Sequence, residues 1–239
     1  MAYQAVFKRY ELKYLLTLPQ LERIQLAMAD HMAPDQYGRS TIRNIYYDTP
    51  NYRLIRHSLE KPVYKEKLRL RSYKRLGKDD KVFVELKKKY KGIVYKRRLS
   101  MPERGARQWL QGGSFPGEQT QISREIEYVR SYYRDLRPAV FLSYERVAWF
   151  SKDGGDLRIT FDDHILCRRD DLTLESEAYG TELLPPGTVL MEIKTSGAVP
   201  LWLTEVLSRE RIYKTSFSKY GTAYLKMILP NFKGECLYA

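Results

Sequence analysis

The sequence predicts an α+β fold, in which an antiparallel β-barrel of about eight strands with a charged interior is flanked by helices. Many segments alternate with a period of two, each with one apolar and one charged face, whereas only a few have helical spacing. The clusters of glycine and proline at 112–117, 153–155 and 185–187 are short enough to be turns. We therefore expect a single domain over residues 1–239.

Strand-like alternation recurs along most of the chain, in residues 7–16, 42–48, 65–75, 81–89, 93–99, 139–150, 156–163 and 188–194. The stretch EKLRLRSYKR is the clearest case. Successive side chains of a strand point to opposite faces, so Lys67, Arg69 and Arg71 share one face. Leu68 and Leu70 lie on the other face, which is expected to pack against helices.

Helical spacing is confined to five segments, residues 17–32, 102–111, 121–136, 200–211 and 216–229. The first segment has the clearest start. Thr17 is the expected N-cap, and Pro19 suits the first turn because a proline there sacrifices no helical hydrogen bond.

The chain is strongly basic, with 42 Lys and Arg residues against 29 Asp and Glu residues and a formal net charge of +13. This balance indicates an anionic partner, which is a nucleic acid, a membrane surface or a phosphate-rich molecule. Cys167 and Cys236 are too far apart and too few for a disulfide framework or a zinc site. No signal peptide or run of roughly 18–20 apolar residues is found, so we expect a cytoplasmic protein.

The charged strand faces have two interpretations. An antiparallel sheet with one solvated side gives the same alternation, and for a single strand this is the better interpretation. Taken together, however, the faces repeat arginine, whose planar fork suits bidentate contact with phosphate. A closed barrel would turn these faces into a tunnel, where so many like charges require a polyanion, a metal or acidic counter-residues. The sequence therefore favours charged faces that point inward.

The motifs resemble a known family. RYELK (9–13) is similar to the first-strand motif of the triphosphate tunnel metalloenzymes, a CYTH-like superfamily. The order of the other motifs along the chain resembles that in the polyphosphate-polymerase branch, which is the catalytic domain of the vacuolar transporter chaperone (VTC) complex. These motifs are IYYDT (45–49), RLR (69–71), ELK to YKRR (85–98), SYERVAW (143–149), LRITFD (157–162), MEIK (191–194) and SFSKY (216–220). The sibling cyclase and thiamine-triphosphatase branch typically opens with Glu-x-Glu-x-Lys. Arg9 replaces the first acid here, which favours the polymerase branch.

The resemblance implies a tunnel in which a nucleoside triphosphate such as ATP donates its terminal phosphate to a growing polyphosphate chain, with Mn²⁺ or Mg²⁺. Catalysis of phosphoryl transfer is mostly positioning and neutralisation of charge. The expected catalytic phosphate clamps are Lys13, Arg69, Arg71, Lys87, Lys96, Arg146 and Arg158. Further substrate contacts are expected from Arg9, Arg98, Tyr144, Lys194 and Lys219.

Some of these assignments have alternatives. Glu192 is the preferred metal ligand, and Glu11 is the second candidate, for which a salt bridge with Arg9 or a neighbouring lysine is the equal alternative. Tyr144 either hydrogen-bonds a phosphate or packs in the core. Lys219 is expected at the start of the last helix, where backbone N–H groups would add to its attraction for phosphate.

Two other charged stretches have ordinary explanations. Asp162 and Asp163 could bind metal, but an acidic strand end paired with Arg158 is more common. The basic run ELKKKYKGIVYKRR resembles a nucleic-acid-binding segment. Its alternation places part of the charge inward, and its remaining lysines, which are Lys88, Lys89 and Lys91, are expected to lie at a turn.

Three functions remain open at this point. The first is a polyphosphate polymerase, and the second is a tunnel-type hydrolase of triphosphate or nucleoside triphosphates. The absence of a first-strand acid favours the polymerase, because a second carboxylate could help to activate water. The third is a non-catalytic module that binds polyphosphate or nucleic acid. No nucleic acid partner is expected, since no helix-turn-helix, zinc-finger or RRM motif is present. A separate membrane partner that receives the product stays possible.

Overall fold

The fold is built on ten strands and six helices, described here from a computed structural model that covers residues 10–77 and 80–232. The strands are β1 (Tyr10–Thr17), β2 (Met32–Pro34), β3 (Ser40–Asp48), β4 (Tyr64–Ser72), β5 (Lys81–Tyr90), β6 (Ile93–Pro102), β7 (Arg137–Ser151), β8 (Arg158–Arg168), β9 (Thr181–Glu182) and β10 (Thr188–Thr195). The helices are α1 (Leu18–Met28), α2 (Arg53–Leu59), α3 (Glu103–Leu110), α4 (Gln121–Tyr133), α5 (Leu201–Arg209) and α6 (Lys219–Ala223).

The strands form one antiparallel sheet, as the sequence predicts. Its order is β1-β10-β8-β7-β3-β4-β5-β6, with β2 paired to β7 and β9 paired to β8. The sheet curves without closing, because β1 and β6 stand at its two ends and, in the described ranges, are not hydrogen-bonded to each other. Part of the free edge of β1 is covered by a later segment, where the Thr215 N–H donates to the Lys13 carbonyl at 2.7 Å.

The outer face of the sheet carries two apolar cores. Leu68 and Leu70 pack there, as expected, with residues of α3 and α4 that include Trp109 and Ile126. The second core joins β8 and β10 to α1 and α5; its buried members include Ile159, Met191, Ile193, Ile24, Leu203 and Val206. Helices on one face leave the opposite, inner face of the sheet for the charged side chains.

The inner face is divided into an apolar part and a charged part. Leu142 and Leu190 occupy inner positions and pack against Tyr220 and Ala223 of α6. Tyr46 stacks on Tyr220 with ring centroids 4.8 Å apart. The last helix therefore fills one part of the concave surface, and the ionic side chains are confined to the remainder.

Several element boundaries differ from the predicted ones. Thr17 is the N-cap of α1, with a reciprocal capping box to Gln20, but α1 ends at Met28 because Met32–Pro34 pairs with β7 instead. The predicted helix 216–229 is split into α6, a π-helical turn at Tyr224–Ile228 and a 3₁₀ turn at Leu229–Asn231. Helix α2 was not predicted from the sequence.

Helix α2 depends on one buried carboxylate. Asp48 accepts hydrogen bonds from the N–H groups of Leu54 and Ile55 and from the Tyr220 hydroxyl. These contacts satisfy donors in the first turn that the helix itself leaves unpaired.

In the part of the chain that the structure describes, no helix is both long enough and apolar enough to span a bilayer.

Candidate active site

The first ionic cluster surrounds Glu85, which is 1% exposed. Oε1 lies 2.8 Å from Lys96 Nζ and 2.5 Å from Arg98 Nη2, while Oε2 lies 2.7 Å from Arg69 Nη2 and 3.5 Å from Arg71 Nε. Strand register places Arg69, Glu85 and Arg98 side by side on β4, β5 and β6. Burial alone would raise the pKa of the Glu85 carboxyl, but these four cations, Arg71 foremost, lower it well below its ordinary value.

Neutral side chains of β3 orient the two arginines of β4. Arg69 Nη1 donates to the Tyr46 hydroxyl at 2.8 Å, and Arg71 Nε donates to Asn44 Oδ1 at 2.9 Å. These contacts follow from register, since Tyr46 lies opposite Arg69 and Asn44 lies opposite Arg71. Fixed guanidinium groups lose little freedom when they bind an anion.

The second cluster surrounds Glu192 of β10. Oε2 lies 2.8 Å from Lys194 Nζ and 3.4 Å from Arg146 Nη2, and Oε1 lies 3.4 Å from Lys13 Nζ and 3.5 Å from Lys219 Nζ. Burial would raise the pKa of Glu192, but the four cations, Lys194 first, lower it well below its ordinary value. Glu192 is therefore ionised in a basic environment.

Asp162, which is fully buried, completes the second cluster. Arg146 donates to both of its carboxylate oxygens, at 2.5 and 2.6 Å, and Lys219 Nζ lies 2.5 Å from Oδ2. The sequence pattern suggested Arg158 as the partner of this acidic strand end. Instead, β7–β8 register places Asp162 opposite Arg146, and Arg158 opposite Phe150. Arg158 Nη2 lies 4.0 Å from Asp35 Oδ2, and Arg158 lies opposite Lys194 in the β8–β10 register, so it borders the second cluster while Arg146 is the partner of Asp162.

Tyr144 lies between the two clusters. Its hydroxyl accepts a hydrogen bond from Arg71 Nη2 at 3.2 Å, and Lys219 Nζ lies 4.3 Å from its ring centroid. Burial would raise the pKa of Tyr144, but Arg71, Arg146 and Lys219 lower it below the usual value. The ring of Tyr144 is therefore buried while its hydroxyl contacts the charged surface, and a hydrogen bond from that hydroxyl to phosphate stays a prediction.

Strands β1 and β5 approach each other across the open side of the sheet. Lys87 Nζ donates to Glu11 Oε2 at 2.6 Å. Burial would raise the pKa of Glu11, but Lys87 and then Lys194 lower it to about 2. A salt bridge between Glu11 and a lysine, one of the two expectations, is confirmed. Arg9 lies outside the described residues.

The segment before α6 enters the same space. Lys13 Nζ donates to the Phe217 carbonyl at 2.9 Å, and Lys67 Nζ donates to Ser218 Oγ at 2.8 Å. Lys219 follows Ser218, which caps α6. Since α6 has only five residues, we assign its backbone N–H groups no binding role.

Four lysines of the inner face have lowered pKa values, whereas Asp162 and Glu192 raise the pKa of Lys219. Burial, followed by the neighbouring Lys13 and Lys87, lowers the pKa of Lys67 well below its ordinary value. Burial outweighs the attraction of Glu85 and lowers the pKa of Lys96 to about 7. The pKa values of Lys13 and Lys194 are also lowered, chiefly by burial. An anionic ligand would offset this repulsion.

Most of the predicted site residues are brought together. The first cluster contains Arg69, Arg71, Lys96 and Arg98; the second contains Lys13, Glu192, Lys194, Arg146 and Lys219; and Glu11, Lys87 and Tyr144 lie between or beside them. The strand pattern indicated no site role for Glu85 or Lys67, and it indicated a pair with Arg158 for Asp162. For Glu85 and Lys67 the available signal was their position on the same strand faces as the predicted clamps.

A divalent metal would have few protein ligands here. The described residues contain no group of three or more His, Cys, Asp or Glu side chains that could hold an ion. Glu11 and Glu192 are diagonal neighbours on β1 and β10, and both are ionised. Two carboxylates fit Mg²⁺-type binding, in which phosphate oxygens and waters complete the coordination.

Comparison with known proteins agrees with this architecture. No curated protein matches the sequence. A Bacillus halodurans protein described as a candidate adenylate cyclase has 17% identity and a TM-score of 0.53, with 90% of this chain and 96% of that chain covered. A candidate adenylyl cyclase from Hippeastrum, described as having a dominant triphosphatase activity, has 16% identity and a TM-score of 0.52, with 94% and 98% covered. These two structures share the fold.

The family is shown by the sequence itself. A family model described as the VTC domain matches residues 8–228, a range that contains both ionic clusters and the strands that carry them. This chain belongs to the VTC domain family.

Proposed function

We propose that this chain is a polyphosphate polymerase, which transfers the terminal phosphate of a nucleoside triphosphate such as ATP to a growing polyphosphate chain. Two observations support this proposal, which are the membership of the chain in the VTC domain family and the charged side chains of the inner face. Ten cations stand in and beside the two clusters against four carboxylates; the cations are Lys13, Lys67, Arg69, Arg71, Lys87, Lys96, Arg98, Arg146, Lys194 and Lys219, and the carboxylates are Glu11, Glu85, Asp162 and Glu192.

The observation that supports the choice of polymerase is the pairing of those carboxylates with cations. Lys87 contacts Glu11, four cations surround each of Glu85 and Glu192, and Arg146 and Lys219 contact Asp162, so the pKa values of all four are lowered and their oxygens are poor proton acceptors. Hydrolysis requires a good proton acceptor in the simplest scheme. A terminal phosphate of polyphosphate is already an oxyanion and needs no base, which suits this site.

The arginines would hold phosphate oxygens while the lysines neutralise charge. Arg69 and Arg71 are fixed by Tyr46 and Asn44, so their forks are positioned before a ligand arrives. Charge spreads over the equatorial oxygens of the transferred phosphoryl group, and fixed cations stabilise it without reorganising. Arg146, held by Asp162, would act in the same way from the second cluster.

Glu192 and Glu11 are the residues that would hold a divalent cation, Mn²⁺ or Mg²⁺. When bound, such an ion neutralises phosphate charge and orients the phosphates. The chain's own contribution is to keep both carboxylates ionised by means of Lys194 and Lys87.

A tunnel-type triphosphatase is the second candidate. It is favoured by the dominant triphosphatase activity described for the Hippeastrum protein, which has the same fold. The two functions differ in whether water or a phosphate chain attacks the terminal phosphorus. A non-catalytic binding module is the third candidate, but it gives no reason for ionised carboxylates at the centre of each basic cluster.

Incubation with ATP and Mn²⁺ separates the three. We expect ADP and a polymer that is resolved on a gel and degraded by an added polyphosphatase. Free phosphate without polymer would support the triphosphatase, and no turnover would support the binding module. Omitting the metal, and a matched reaction with Arg71→Ala, control for contaminating activity.

A further inference from the structure

The basic inner face extends beyond the two carboxylate-centred clusters. Along β4 and β5, the pair Lys67 and Lys87 is followed two residues further by the pair Lys65 and Lys89. Residues two apart on a strand share a face and are separated by about 7 Å. The second pair therefore continues the same row of side chains away from Glu85.

Like charges directly opposite each other on neighbouring strands destabilise a sheet, so two consecutive lysine pairs call for an explanation. Lysines often protect an exposed sheet edge from pairing, but at Lys89 strand β5 is paired on both sides, and only β4 lacks its second neighbour at Lys65, since its pairing with β3 ends at Leu68. Local conflicts of this kind are typical of functional sites.

The pair Lys65 and Lys89 also lacks acidic partners among the described residues. Within residues 10–77 and 80–232, neither Lys65 nor Lys89 forms an ion pair with a carboxylate, and nor does the nearby Lys61. Lys65 Nζ donates to the Ser58 carbonyl at 3.0 Å. Lys65 lies directly opposite Lys89 in the register, and burial, then Lys89 and Lys61, lowers the pKa of Lys65.

We propose that Lys65 and Lys89, with Lys61 beside them, form a separate subsite for the polyphosphate chain, so that the polymer leaves the clusters along β4 and β5. This inference rests on the proposed function, because it assumes a phosphate chain longer than a nucleotide's triphosphate. A triphosphate held between the Glu85 and Glu192 clusters has no need of a second lysine pair further along the strands.

A negatively charged membrane is the competing partner, since Val63, Tyr64 and Tyr90 are exposed nearby. Their placement favours the phosphate chain. Tyr64 and Tyr90 alternate with the lysines and so lie on the outer face, where the Tyr64 hydroxyl donates to Glu66 Oε2. Lys65 and Lys89 share the inner face with Lys67 and Lys87 instead.

The test compares two ligands and two variants of the full chain. Binding of tripolyphosphate and of long-chain polyphosphate is measured by calorimetry over a range of salt concentrations. The variant is Lys65→Ala/Lys89→Ala. The matched control is Lys88→Ala/Lys91→Ala, which removes the same charge from the same hairpin, because Lys88 contacts Glu125 on the outer face and Lys91 lies at the turn over the Tyr90 ring.

We expect the first variant to bind long-chain polyphosphate about tenfold more weakly, with a salt slope reduced by roughly 1 to 2, while tripolyphosphate binding is unchanged. The control should bind both ligands as the wild type does. An equal loss for both ligands, no loss for either, or an equal loss in the control would overturn the proposal.

Two further measurements separate other outcomes. If the first variant loses binding to phosphatidylserine vesicles but keeps its affinity for long-chain polyphosphate, the lysines form a membrane surface and the proposal is wrong. If the wild type makes no polymer from ATP but shows the expected difference between the two ligands, the polymerase assignment fails and the subsite stands.

Discussion

Lys87 on β5 and Glu11 on β1 form a 2.6 Å hydrogen bond although their strands are not neighbours in the sheet. Five strands, β10, β8, β7, β3 and β4, separate β1 from β5 in the order of the sheet. The contact therefore requires the sheet to curve until its two ends approach each other. A curved sheet is what brings the Glu85 and Glu192 clusters to face the same space.

A double-mutant cycle on Glu11→Gln and Lys87→Met tests this contact. Both side chains are partly exposed, so we expect a coupling energy of about 1 kcal/mol or less in the free energy of unfolding. Urea denaturation of the four proteins measures it. Strictly additive effects at low salt would indicate that the two strands do not meet.

Glu85→Gln should destabilise the ligand-free protein strongly, by about 3 to 5 kcal/mol, because four cations lose their buried counter-charge. Saturating tripolyphosphate should recover more stability in this variant than in the wild type. Glu125→Gln is the control, since Glu125 also contacts two cations but on the outer face. Equal recovery in both variants would contradict a phosphate-binding role for the first cluster.

Tripolyphosphate binding should take up protons above pH 7. The pKa of Lys96 is lowered from 10.5 to about 7, so the free protein has lost this proton at pH 8, and an anionic ligand restores it. Affinity should therefore fall as the pH rises from 7. The ligand-free protein should become more stable over the same range, because its unfolded state binds the extra proton.

Calorimetry in buffers of different ionisation enthalpy measures the uptake, and Lys96→Arg, which stays charged, should reduce it. Proton uptake that is identical in the wild type and in Lys96→Arg would show that other groups titrate instead.

Arg146 and Arg158 form a natural pair for comparison. Arg146 contacts both Asp162 and Glu192, whereas Arg158 contacts Asp35 and the Phe150 ring. We expect Arg146→Ala to lower kcat by at least about 100-fold and Arg158→Ala by less than about tenfold. Steady-state kinetics with ATP measure both values of kcat. A larger loss of kcat in Arg158→Ala than in Arg146→Ala would contradict the prediction.

Glu192→Gln should abolish metal-dependent turnover. Phosphate-chain binding should persist or become tighter, because the change removes a negative charge from among four cations. Asp163→Asn is a suitable control, since Asp163 contacts Arg39 rather than either cluster. Unchanged turnover in Glu192→Gln would end its assignment as a metal ligand.

Alternation predicted which side chains of β4 share a face, and the arginines repeated on several strands predicted that the charged face points inward. Leu68 and Leu70 pack against α3 and α4, and Arg69 and Arg71 point into the charged space, because a period of two fixes the face of each side chain once the helices cover the other. The capping of α1 at Thr17 was equally local and equally predictable.

What the sequence pattern missed depends on register and on distant segments. Asp162 pairs with Arg146 rather than Arg158 because β7 has an irregularity between Ser143 and Glu145, which sets the register with β8. No local pattern indicates that Ser218 reaches Lys67, since the contact joins residues 151 apart. The filling of the inner face by α6 is likewise a tertiary effect.

The most direct test of the central claim is a single-turnover reaction of the protein with ATP labelled on its γ-phosphate, Mn²⁺ and a polyphosphate primer of defined length. The account predicts that the label appears in a primer lengthened by one phosphate, with ADP as the other product. Label that appears only as free phosphate, at the same rate with and without primer, would contradict it.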